Sequence, residues 1–209
     1  MTERSVVAEH FQDEAQQHEA ADLGLWLFIA TELMLFGGLF LGLVVYRIAY
    51  PEAASTASDH LHLWIGGTNT AVLLTSSLTM ALAVVGAREG RRGHSIRLLL
   101  LTALLGLLFL GIKGYEYHSE YQEGLMPRVG PAFPLGQHAE LFFNFYFAST
   151  GLHALHLALG ILAVGVFAWR TLSQRLPVPQ RATRIEGLGI YWHFVDVVWV
   201  FLYPVLYLI

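Results

Sequence analysis

Residues 141–169 read LFFNFYFASTGLHALHLALGILAVGVFAW, a predominantly apolar run long enough to cross a bilayer as one helix. Hydrocarbon is about 30 Å thick and a helix rises about 1.5 Å per residue, so about 20 such residues suffice. A chain in hydrocarbon must satisfy its own backbone N–H and C=O groups, which a helix does within one segment. Four other segments have the same character: Leu23 to Tyr46, Leu63 to Ala87, Ile96 to Tyr117 and Leu188 to Ile209. The sequence therefore predicts an all-α integral membrane bundle of five transmembrane helices, with residues 1–22 as an acidic tail and 23–209 as the membrane domain.

Composition points the same way. The chain is 55% hydrophobic and 13% charged over 209 residues, more apolar surface than a soluble domain can hide. A net charge of -4 with scattered arginines argues against nucleic acid as a partner. The absence of cysteine excludes disulfides, thiolate-bound metal centres and cysteine nucleophiles. Within residues 1–22, Glu3, Glu9, Asp13, Glu14, Glu19 and Asp22 face a single arginine, the wrong sign for a cleaved signal peptide. The first span is accordingly expected to remain as an anchor, behind a mobile tail.

Arg88, Arg91, Arg92 and Arg97 surround one connection, and Arg170, Arg175, Arg181 and Arg184 surround another. The opposite connections hold only Arg47, Lys113 and Arg128. The positive-inside rule then places the N-terminus in the cytoplasm and the C-terminus outside. In the third span, the stretch free of Asp, Glu, Lys and Arg covers only Leu98 to Ile112, so this helix is expected to end in the interface with Lys113 snorkelling. Trp26, Tyr46, Trp64, Trp169 and Tyr207 fall near span ends, where headgroup-level aromatics are expected.

Ionisable groups inside a bilayer are costly, so their positions are informative. Glu32 lies midway along the first span and needs a compensating contact; it reads as lipid-binding, proton-linked, or hydrogen-bonded to a neighbouring helix. His153 and His156, three residues apart, share a face of the fourth span, and His193 and Asp196 repeat the spacing in the fifth. Such pairs on facing helices have metal-ligand chemistry, but interhelical hydrogen bonding is the commoner use of bundle-interior histidine. Trp192, Asp196, Trp199 and Tyr203 form a polar-aromatic stripe suited to packing on a partner helix. Asn69, Thr70 and Asn144 are further candidates for interhelical hydrogen bonds.

Taken together, these residues resemble subunit III of cytochrome c oxidase, a haem-copper respiratory oxidase. The resemblance rests on Tyr191-Trp192-His193-Phe194-Val195-Asp196-Val197-Val198-Trp199, on the helix with two histidines between Gly151 and Gly160, and on Phe28 to Glu32. Asn69-Thr70 and Tyr115-Glu116-Tyr117 also agree, whereas the 22-residue tail finds no counterpart. The resemblance implies a polar network including Asn69, Glu116, His153, His156, His193 and Asp196, with Glu32 lipid-binding or proton-linked. It implies no catalytic residue, metal, haem or copper in this chain. Partner subunits are expected to carry the haem and copper: subunit I in direct contact, subunit II, and a small subunit IV.

A bacterial cytoplasmic membrane, bound phospholipid, a place in a respiratory supercomplex and a supporting role in proton uptake and turnover are further expectations from the resemblance. Longer family members have seven helices, and this chain is expected to begin at their third. Composition independently excludes the catalytic subunit, because His153, His156 and His193 are too few to ligate two haems and a copper. Glu32 and the Asn69-Thr70 pair lean toward cytochrome c as donor. The alternatives are a quinol oxidase subunit III, a homologue associated with nitric oxide reductases and, remotely, a small secondary transporter.

Overall fold

The computed structural model describes residues 11, 13–127 and 133–208, and the regular elements among them are all helical. Five helices are long and apolar enough to cross a membrane: α1 (Glu14–Ala49), α3 (Leu63–Arg88), α4 (Arg92–Gln122), α5 (Gln137–Leu172) and α6 (Ala182–Tyr203), the last continued by a π-helical turn over Pro204–Leu208. A short helix, α2 (Pro51–Ser58), lies between the first two spans and was not anticipated from the sequence. Proline opens it, where a fixed φ and a missing N–H cost least, and Ala54 and Ala57 bury its inner face.

The start of α1 revises the expected boundary at Leu23. The Asp13 side chain caps the helix by accepting from the Gln16 N–H at 2.7 Å. Negative side chains at a helix N-terminus satisfy free N–H groups and complement the helix dipole. The acidic residues from Asp13 to Asp22 are therefore compatible with helix, and part of the proposed tail belongs to α1. The rest of that tail, residues 1–10 and 12, lies outside the described residues.

The helices pack as neighbours in the order α1, α6, α3, α4, α5, with α5 also against α6 and α1 against α5. A three-residue connection joins α3 to α4, and Gly90 adopts a φ of +71° there, a conformation that favours glycine. At the crossing of α4, α5 and α6, Gly106 has no room for a side chain, since a Cβ would meet Ile161 at 2.9 Å and Trp192 at 3.0 Å.

The aromatic stripe of α6 sets its antiparallel register on α3. Trp192 Nε1 donates to Ser76 Oγ at 3.1 Å, Trp199 Nε1 to Thr70 Oγ1 at 3.0 Å and the Tyr203 hydroxyl to the Leu63 carbonyl at 3.3 Å. Trp26, Trp64 and Trp169 are exposed near span ends, as expected. Tyr46 and Tyr207 are not headgroup anchors: both are buried, and the Tyr46 hydroxyl donates to the His138 carbonyl at 2.8 Å.

Candidate functional site

The costly Glu32 has its compensating contact. On α1 its Oε2 lies 2.9 Å from His156 Nε2 on α5, while His156 Nδ1 lies 2.8 Å from the Leu152 carbonyl. A carbonyl only accepts, so Nδ1 carries a proton, and the Nε2–Glu32 contact holds a second one. Whether that proton sits on nitrogen or on oxygen, the pair is neutral overall. Phe36 packs edge-on against the imidazole at 5.3 Å, and the Tyr191 hydroxyl donates to the His156 carbonyl at 2.8 Å. The pair lies at the junction of α1 with the rest of the bundle, where α1 is the least covered of the five spans.

His153, one turn before His156, is fully buried among aromatics, with ring centroids 5.6 Å from Phe109 and 5.1 Å from Trp199. Neither ring nitrogen has a hydrogen-bond partner among the described residues. Asn69 fits the expected interhelical role, donating from Nδ2 to the Phe109 carbonyl at 3.3 Å. Asn144 does not, because its side chain lies on the exposed face of α5.

His193 and Asp196 share a turn of α6 but are not equally engaged. His193 Nδ1 is 2.7 Å from Ser77 Oγ on α3. Asp196 is buried, and neither carboxylate oxygen has a hydrogen-bond partner of good geometry, although the Ser77 hydroxyl lies alongside it. Ser77 thus links His193 to α3, whereas Asp196 is buried beside the same hydroxyl without a well-formed hydrogen bond.

The largest departure concerns Lys113. It does not snorkel: its side chain is 3% exposed, and its ammonium donates to Glu116 Oε2 at 2.9 Å, Tyr146 at 2.8 Å and Tyr207 at 2.7 Å. Those three bonds use every donor of the ammonium. Tyr207 in turn donates to Glu116 Oε1 at 2.6 Å, and Tyr146 donates to Glu120 Oε1. One cation, two carboxylates and two phenols thus tie α4, α5 and the π-helical turn together, away from the arginine-rich end. The sequence reading missed Glu120, Tyr146 and Tyr207. The spacing of Lys113, Glu116 and Glu120 by three and four residues, which places them on one face, was the available signal.

Among the described residues no group of three or more His, Asp or Glu side chains is arranged to hold a metal ion.

Comparison with known proteins places the chain among relatives. The family model described as cytochrome c oxidase subunit III matches residues 3–209. This corrects the view that the first 22 residues lack a counterpart. The cytochrome bo(3) ubiquinol oxidase subunit 3 of Pseudomonas aeruginosa is 32% identical over 185 residues, covering 88% of this chain and 83% of the relative. Probable quinol oxidase subunits 3 of Staphylococcus epidermidis and Staphylococcus aureus are each 30% identical over 191 residues, covering 91% of this chain and 90% of the relative.

Proposed function

Because the chain belongs to the cytochrome c oxidase subunit III family, the third subunit of haem-copper oxidases, we propose that it is a redox-silent subunit supporting assembly, lipid retention, proton uptake and durable turnover. The observation carrying this reading is the Glu32–His156 pair, an expensive acid with a hydrogen-bonding partner on another helix where α1 joins the bundle. Such a pair can hold α1 in place, bind a lipid headgroup or exchange a proton without a redox centre.

The expected setting is a bacterial cytoplasmic membrane, with the arginine-rich connections in the cytoplasm. Subunit I is the direct partner, subunit II and a small subunit IV complete the complex, and haem and copper reside in those partners. Glu32 and Asn69-Thr70 support cytochrome c as electron donor. A quinol donor is the second reading, favoured by relatives named as quinol oxidase subunits.

Purification in mild detergent tests the proposal. A haem-containing complex that includes this chain and consumes oxygen is the expected result. Its preference for reduced cytochrome c or for quinol decides the donor. Isolation of the chain without haem-bearing partners from actively respiring cells contradicts the proposal.

A further inference from the structure

On the arginine-rich half of the bundle, a cavity of about 250 Å³ opens between α3 and α6. It is separate from the Glu32–His156 pair, which joins α1 to α5. Ala81, Val84, Gly189 and Ile190 form its apolar walls, and His193 lines it below. Arg88 and Glu186, near the ends of their helices, stand at its mouth.

The mouth is built from a half-satisfied ion pair. Arg88 Nε donates to Glu186 Oε1 at 2.7 Å, and the side chains are 62% and 27% exposed. That single bond leaves both terminal guanidinium nitrogens and Glu186 Oε2 available. The site therefore offers one cationic and one anionic group side by side, directly above an apolar groove. Below, Ser77 holds His193 Nδ1, so Nε2 is the ring nitrogen left to face the groove. His193 follows Glu186 by seven residues, about 10 Å of helix rise, and helical side chains lean toward the N-terminus, which brings the imidazole closer to the mouth.

We propose that this groove binds a zwitterionic phospholipid with a primary ammonium, of the phosphatidylethanolamine type. The phosphate meets the Arg88 guanidinium, the ammonium meets Glu186 Oε2, and one acyl chain follows the apolar walls. With lipid bound, His193 takes the tautomer with its proton on Nε2, which then donates to a glycerol ester carbonyl while Nδ1 accepts from Ser77. An anionic headgroup such as that of phosphatidylglycerol brings the same phosphate but no cation for Glu186 Oε2, and a quaternary ammonium has no hydrogen to donate there.

The test uses the assembled complex, stripped of lipid in detergent and incubated with equal amounts of phosphatidylethanolamine, phosphatidylglycerol and phosphatidylcholine of identical acyl chains. Native mass spectrometry counts retained lipids. The wild type is expected to favour phosphatidylethanolamine, and Glu186→Gln to lower its ratio to phosphatidylglycerol by about threefold, the scale of an exposed ion pair. Ala81→Phe, which fills the groove, is expected to retain one phosphatidylethanolamine fewer. An unchanged ratio in Glu186→Gln, or an unchanged lipid count in assembled Ala81→Phe, overturns the proposal. If Ala81→Phe does not assemble, the ratio in Glu186→Gln decides alone.

Discussion

Lys113 Nζ lies 2.9 Å from Glu116 Oε2, one turn further along α4, and both side chains are sealed inside the bundle. Removing one member of such a pair leaves the other charge buried without compensation, which costs about 3–5 kcal/mol. Lys113→Met should therefore assemble poorly, whereas Lys113→Met with Glu116→Gln should recover part of the loss by removing both members of this pair, with Glu120 left to its bond from Tyr146. The yield of intact bundle and its resistance to unfolding in a denaturing detergent measure both effects. A double variant no better than the single one would show that the cluster is held by its tyrosines and not by charge compensation.

Ser77 and Asp196 give a second contrast. Ser77→Ala leaves His193 Nδ1 without its partner, at about 1–3 kcal/mol for a partly buried polar group. Asp196→Asn keeps the volume and removes no well-formed hydrogen bond among the described residues. Ser77→Ala is thus expected to be the more damaging substitution in thermal stability of the solubilised protein. The reverse order would indicate that Asp196 serves a partner outside this chain.

The five spans are legible in the sequence because hydropathy over 20 residues reports a property that every residue of a span shares. The packing face of α6 is legible for a similar reason, since Trp192, Trp199 and Tyr203 repeat at helical spacing, although its partners on α3 lie more than a hundred residues away. The fate of Lys113 is not. Hydropathy records its charge, but its burial depends on Tyr146 and Tyr207, which lie 33 and 94 residues away. Glu32 shows the same limit: its cost can be read locally, but its partner His156 lies 124 residues along the chain. Asp13 is a milder case, in which an acidic run reads as a solvated tail although its first residue also caps a helix.

Orientation in the membrane is tested by single cysteines at Gln122 and Gln180. The eight arginines on the two connections containing residues 88–97 and 170–184 predict that Gln122 labels from outside intact cells and that Gln180 labels only after permeabilisation. Labelling of Gln180 from outside overturns the N-in, C-out assignment.

The last prediction concerns the pair that carries the functional reading. Glu32→Gln keeps the length of the side chain and a hydrogen bond to His156, but cannot ionise. Glu32→Ala leaves His156 Nε2 facing an apolar gap. Assembly and initial oxygen consumption should therefore survive Glu32→Gln, while lipid retention or the number of turnovers before inactivation changes, and Glu32→Ala should be worse. Because Glu32 and His156 act through one contact, His156→Gln should resemble Glu32→Gln, and the double variant should fall well short of the sum of the two. Oxygen consumption followed to exhaustion, together with native mass spectrometry of retained lipid, measures all three. Strict additivity would show that the two side chains act independently. Loss of activity from the first turnover in a fully assembled, haem-replete Glu32→Gln complex would instead place Glu32 on an obligatory proton path, and the supporting role proposed for it would fail.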